Sequence, residues 1–211
     1  MKNLHISTHA VVKDRLARLR DENAPVHEFR RYVHEVSRAL AYEASADLPV
    51  KNKQVVTPMC ETTGQVLASD EPVLIVPILR AGLGLVTGLE ALFPDAHVGH
   101  IGLYRNEETH MPVEYLVRLP RNLDRPIFLV DPMVATGHST AEAVNVLLKA
   151  GAKIQNIRAV CLIAAPEGVT YVSSQHPDLH IYTAALDERL NEKAYIVPGL
   201  GDAGDRLFGT L

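Results

Sequence analysis

The stretch IFLVDPMVATGHSTAEAVNVLLKAG, residues 127–151, decides the fold. It opens on a short, uninterrupted apolar run, Ile127–Val130, of the kind found in strands buried on both faces. The run ends at Asp131. A turn of small residues, Ala135-Thr136-Gly137, leads into an amphipathic helix with Val144, Leu147 and Leu148 on its apolar side. A helix that starts after such a turn points several free backbone N–H groups at one spot, with a partial positive charge behind them. Thr136, Ser139 and Thr140 add hydroxyl donors, and an acid at the strand end can accept from sugar hydroxyls. The combination suits a ribose 5-phosphate. In an open α/β sheet, the carboxyl ends of the strands are also where ligands bind.

Outward from this segment the same rhythm repeats. The runs VLIVPIL (73–79), HVGHIGLY (97–104) and AVCLIAA (159–165) read as further buried strands. Helical stretches are expected at about 82–93, 139–150 and 167–174, with Gly151 as a C-terminal stop. Strands alternating with helices predict an α/β fold, with an open, mostly parallel sheet flanked by helices. Residues 104–122 are polar, with a short alternating piece around Val113–Leu119, and predict a hairpin-like flap excursion. Towards the amino end, residues 9–20 and 25–46 read as helices. In the second, Phe29, Val33, Val36, Leu40 and Ala44 recur at helical spacing, Pro25 suits the first turn, and Arg30, Arg31 and Glu35 fall on a solvated face. After 183 the periodicity fades, so 187–211 is expected to be a loop-rich hood. One domain over 1–211 is the expectation, with N-terminal helices at 1–50, an α/β core at 73–183 and the tail at 187–211.

Composition sets the outer bounds. Of 211 residues, 47% are apolar and 22% charged, a globular balance that excludes disorder. The formal net charge of −4 supplies no overall basic field for nucleic acid. No signal-like core opens the chain, and no apolar run approaches the ~20 residues that span a bilayer. Cys60 and Cys161 both read as buried free thiols of a reducing compartment, so a cytoplasmic protein is expected.

The segment VDPMVATGHST resembles the loop that binds 5-phosphoribosyl 1-diphosphate (PRPP) in the phosphoribosyltransferases. Pro132 stands where most of that superfamily has a second acid, as in its uracil-specific branch. VPILRAGLG (76–84), LYRNEET (103–109) and the tail YIVPGLGDAGDRLFGT (195–210) resemble the same branch, in order and across nearly the whole chain. The resemblance implies a type I phosphoribosyltransferase-like fold and a uracil phosphoribosyltransferase, which joins uracil to PRPP and gives UMP and diphosphate through an oxocarbenium-like transition state. The one departure inside the loop is His138, where the family usually has a second Gly. If that position needs a positive φ, His is unusual there. Its backbone N–H is retained, so phosphate binding and activity are expected to survive.

Residue by residue, the resemblance implies a catalytic set of Asp131, Arg105 and Asp202. Asp131 would hold the ribose hydroxyls. Arg80 and Arg105 would meet the diphosphate, as guanidinium forks suit phosphate oxygens. Pro132, Met133, Val134, Ala135, Thr136, Gly137, His138 and Ser139 form the phosphate loop, and Asp202 contacts PRPP. Ile196, Gly201, Asp202 and Ala203 would contact uracil. Magnesium is implied by the substrate, carried by PRPP and water-bridged to Asp202, with no direct protein ligand. Partners expected are uracil, PRPP and at least a second copy of the chain, without nucleic acid or membrane. Some family members are activated by a purine nucleotide.

Other patterns are weaker. GLGDAG (199–204) fits G-x-G-x-x-G, but too little chain follows for the helix and strand a dinucleotide site requires. Ser139 lies too far beyond the strand for the nucleophile elbow that GHSTA (137–141) nearly spells. The pairs His5/His9 and His176/His180 lack the context of a metal site. The alternative from another class is an RNA-binding regulator of the same fold, for which Arg15, Arg18 and Arg20 would form a local basic patch. A phosphoribosyltransferase for another base is the second alternative.

Overall fold

The computed structural model describes residues 3–105 and 112–210. In chain order they form β1 (Leu4–Ile6), α1 (Ala10–Arg20), α2 (Val26–Ala44), β2 (Val50–Val56), β3 (Glu61–Leu67), β4 (Leu74–Leu79), α3 (Leu83–Glu90), β5 (His97–Val98), β6 (His100–Arg105) and β7 (Pro112–Arg118). There follow β8 (Ile127–Val130), β9 (Met133–Val134), α4 (His138–Lys149), β10 (Ile157–Ala164), α5 (Pro166–Gln175), β11 (His180–Leu186), β12 (Arg189–Leu190), β13 (Ile196–Val197) and α6 (Ala203–Phe208).

The main sheet runs β1-β11-β10-β8-β4-β6-β7, with β5 beside β4 and β9 beside β10. Every pairing in it is parallel except β6 with β7. The open, mostly parallel α/β sheet expected from the sequence is therefore present. Its central strands bury both faces because successive side chains point to opposite sides. Along β8, Phe128 and Val130 join the core packed by α1, α2 and α3, whereas Ile127 and Leu129 join the core under α4 and α5. Cys161 lies in the second core, 1% exposed, and burial pushes its thiol up to about 12. At the end of α4, Gly151 takes φ +100°, the left-handed stop that its position predicts.

Several details differ from the sequence reading. The run 97–104 is two strands, broken at Gly99. Pro25 is the N-cap of α2 rather than a residue of its first turn. Residues 50–67 form an antiparallel ribbon, β2 with β3, whose residues are almost all exposed, where the sequence suggested only a buried strand-like run around Cys60. Cys60 sits at its tip and is exposed, not buried, because its neighbours pack against no core. The tail is more structured than a loop. It holds the β12–β13 ribbon and helix α6.

The flap expected at 104–122 is a hairpin in which β6 pairs antiparallel with β7, from His100 opposite Arg118 to Arg105 opposite Pro112. Residues 106–111, with Glu107 and Glu108, lie outside the described residues.

The N-terminal helices clamp the tail. Arg20 donates to both oxygens of Asp187, at 2.8 and 2.5 Å, and to the Gly199 carbonyl at 2.6 Å. This corrects the reading of Arg20 as part of a free basic patch. Arg15 is paired with Asp14 and Glu35, and Arg18 with Asp14. Arg30, exposed as expected, also donates from Nε to the Leu207 carbonyl at 2.6 Å. From the tail, buried Arg206 reaches back to the carbonyls of Leu19, Leu200 and Asp21, with its guanidinium 4.2 Å from the centre of the Phe29 ring.

Removing Arg206 takes the charged donor from the Leu19 and Leu200 carbonyls, while the Asp21 carbonyl keeps the Ala24 N–H. Arg206→Met should therefore lower the free energy of unfolding by about 3 kcal/mol. Arg31→Ala, which removes long contacts to exposed acids together with a 2.8 Å hydrogen bond to Tyr32 Oη and a contact on the Tyr32 ring, all from an exposed side chain, should cost only about 1 kcal/mol. Urea unfolding midpoints of the two variants check the contrast.

Candidate active site

Strands β4, β8 and β10 run in register, with Val76 opposite Leu129 and Leu129 opposite Ala159. Their carboxyl ends therefore open onto one edge of the sheet. Asp131 leaves β8 there, its N–H held by the Val160 carbonyl at 3.2 Å. The residue is half-open at the sheet edge, yet protein atoms crowd its carboxyl. This desolvation pushes its pKa up to about 7, and the Met133 N–H offsets part of the effect.

The loop beyond Asp131 is tied down strand by strand. The Pro132 carbonyl accepts from Leu162 and Ile163, and the Val134 carbonyl accepts from Ala165. Gly137 then caps α4 at φ 82°, a conformation that suits glycine. A Cβ at Gly137 would lie 2.5 Å from the Gly168 carbonyl oxygen, and one at Gly168 would lie 2.2 Å from that of Ala135. Helix α5 thus lies directly on the loop. The question raised by His138 has a geometric answer. The positive φ falls on Gly137, and His138 begins the helix with no positive φ of its own. Its Nδ1 lies 3.1 Å from Thr136 Oγ1, and its ring stands edge-on to Tyr171 of α5 at 4.3 Å. Ser139 is exposed and Thr140 buried.

Arg80 lies just past β4 and is exposed, its guanidinium 5.9 Å from the centre of the Phe208 ring. The turn that follows is pressed against β8, since a Cβ on Gly82 would lie 2.5 Å from the Val130 carbonyl oxygen. On its other side stands the tail, where a Cβ on Gly204 would sit 3.7 Å from the Ala81 methyl. The β4 turn therefore bridges the Asp131 strand and α6. Arg105 ends β6, and β6 pairs with the end of β4 at Leu79–Gly102.

In the tail, Ile196 is buried on β13, and Gly201 is exposed at φ 76°. Asp202 is the N-cap of α6, with Oδ1 accepting from the Asp205 N–H at 3.0 Å. Ala203 is fully buried. The structure thus gathers Arg80, Asp131, residues 132–139 and the 196–203 tail around one end of the sheet. The sequence reading missed the residues that do the gathering, namely Arg20, Asp187, Gly168 and Arg206. The D-x-x-D spacing of Asp202 and Asp205 is the one local sign of a helix start in the tail.

A cavity of about 540 Å³ lies away from these strand ends and is lined by Leu48, Arg125, Asn156 and Arg158 among others.

A parallel sheet with an acid, a glycine-capped helix start and a folded tail at one end has the architecture of the phosphoribosyltransferases. A hypoxanthine phosphoribosyltransferase from Trypanosoma cruzi shares the fold at a TM-score of 0.50 and 13% identity, over 76% of each chain. The family model described as uracil phosphoribosyltransferase matches residues 6–210. A uracil phosphoribosyltransferase of Lactococcus lactis subsp. cremoris is 54% identical over 100% of both chains, and one of Clostridium perfringens is 53% identical over 96% of each. The AQ2163 protein of Aquifex aeolicus superposes with a TM-score of 0.90 at 35% identity, over 97% of each chain. The chain belongs to the uracil phosphoribosyltransferase family.

The raised carboxyl of Asp131 has a signed consequence. Between about pH 4 and 7 the unfolded chain has released a proton that the folded chain retains, so the ligand-free fold loses stability as pH rises through that window. Asp131→Asn removes the loss. Thermal melts without ligand should show variant and wild type alike near pH 4 and the variant more stable near pH 8. A variant less stable at pH 8 would contradict the assigned cause.

Proposed function

We propose that this chain transfers the 5-phosphoribosyl group of PRPP to uracil, releasing diphosphate and forming UMP. The observation that carries the reading is the Ala81–Gly82 turn, which touches both the end of the Asp131 strand and the tail helix. This supports reading the loop after Asp131 and the tail as two parts of one site. The family membership supplies the chemistry.

In this reading the main-chain N–H groups around Gly137 and the first turn of α4 hold the 5-phosphate, and Asp131 accepts from the ribose hydroxyls. Arg80 and Arg105 take the diphosphate as its charge grows. The acceptor oxygen and donor N–H of uracil meet main-chain groups at Gly201, Asp202 and Ala203, with Ile196 beside them. Cytosine inverts that pair and leaves buried groups unsatisfied, which is worth ~10⁴-fold in selectivity.

No three side chains suited to a metal converge among the described residues. In this reading magnesium arrives as part of the PRPP complex, water-bridged to Asp202. When bound it would neutralise charge on the departing diphosphate. We further place the chain in the cytoplasm and assign it at least a dimer, following the family resemblance. No helix among the described residues is long and apolar enough to cross a membrane. The RNA-binding reading loses its main support, because Arg15, Arg18 and Arg20 are all paired with acids.

A radiolabelled-uracil assay with PRPP and magnesium tests the assignment. Wild type should form UMP and leave cytosine, hypoxanthine and orotate untouched. Asp131→Asn and Arg105→Ala should each lower kcat/KM by about a hundredfold. UMP formation unchanged by both would refute the roles, and no UMP from wild type would refute the activity.

A further inference from the structure

We propose that the His138 side chain is a positioning residue of the phosphate loop: its Nδ1–H holds the Thr136 oxygen, leaving the Thr136 O–H to donate to the bound phosphate. The inference rests on the reading of residues 132–139 as a PRPP cradle and adds a role that the glycine usual at this position could not fill.

The geometry has three parts. First, His138 Nδ1 and Thr136 Oγ1 are 3.1 Å apart, within hydrogen-bond reach. Second, the imidazole is fixed by the Tyr171 ring, which it meets at 4.3 Å and 66°. Tyr171 belongs to α5, the helix whose Gly168 lies against the loop at Ala135 and Gly137. Third, the residue is helical, so the bulky side chain costs no left-handed backbone. The ring, the hydroxyl and α5 thus form one braced unit at the start of α4.

The direction of the hydrogen bond follows from what the loop must bind. A hydroxyl has one proton to give and two lone pairs. If Nδ1 accepted, the Thr136 proton would be spent on the ring and an oxygen lone pair would face the anion. If Nδ1–H donates, the ring occupies a lone pair and the proton points outward. A phosphate group near neutral pH is rich in acceptors, so its arrival selects the second arrangement. The brace therefore presents the hydroxyl already oriented, and less rotamer freedom is lost when PRPP binds.

Two substitutions separate the ring from the donor. His138→Asn places an amide nitrogen where Nδ1 stands and keeps the donor, while losing the Tyr171 contact. His138→Phe keeps the ring on Tyr171 and loses the donor. Calorimetric titration with PRPP and magnesium, without uracil, reads the effect directly. The Phe variant should bind PRPP on the order of fivefold more weakly, as one net hydrogen bond implies. Its KM for PRPP should rise in step, with kcat and the KM for uracil within about twofold of wild type. The Asn variant should bind PRPP within about twofold of wild type. A Phe variant that binds like wild type, or an Asn variant as weak as Phe, overturns the proposal. The predicted order of PRPP affinities among the three proteins, with no UMP formed by wild type, refutes the uracil reading alone. A wild type that binds no PRPP refutes both.

Discussion

A charged pair between α1 and the end of β11 governs the rest of the structure. The Asp187 side chain is 3% exposed, so its carboxylate must be matched inside the protein. Arg20 satisfies both oxygens, and the Gly199 N–H gives one of them a further bond at 2.9 Å. Arg20 also takes the Gly199 carbonyl. The tail is thereby held at Gly199, immediately before the segment assigned to the base. The knot adds to the burial of Ile196, Leu200, Ala203 and Leu207 in the core, and together they dock the ribbon β12–β13 and the six-residue α6, neither of which is long enough to persist alone. Arg30 and Arg206 extend the same principle along α6, by binding tail carbonyls or reaching from the tail to carbonyls of the first helix region.

The opposite wall of the site is built by exclusion of side chains. Gly137 and Gly168 let α5 sit on the loop at main-chain distance, and Gly82 lets the β4 turn reach the end of β8. These contacts transmit the rigidity of the central sheet to the loop. A phosphate cradle made of backbone N–H groups needs that rigidity, because its donors cannot be repositioned by a rotamer change. The paired glycines and the Arg20 knot thus solve complementary problems: one fixes the loop, and the other brings in a distant piece of chain.

The legible part of the fold was the part written in local patterns. Continuous apolar runs at 73–79, 127–130 and 159–165 gave buried strands, and the small-residue turn gave the glycine-capped start of α4. The ribbon of 50–67 escaped because Lys51, Asn52, Lys53, Gln54, Thr62 and Thr63 offer no buried face, and a strand without one has no distinctive period. Cys60 was misjudged for the same reason. Arg20 and Asp187 lie 167 positions apart, and nothing in either neighbourhood marks them as partners. Arg206 has the ordinary look of a surface arginine in GDAGDRLFGT, although it is buried beneath Phe29. His138 was legible as a departure, but its meaning required the position of Tyr171 on another helix.

A crystal structure of the protein with UMP puts the central claim to the most direct test. The account predicts the 5′-phosphate on the main-chain N–H groups of 135–140, the ribose hydroxyls at Asp131, and the uracil edge against the main chain of 201–203. Nucleotide bound elsewhere, or a pyrimidine ring turned away from the segment that Arg20 and Asp187 hold in place, would contradict it.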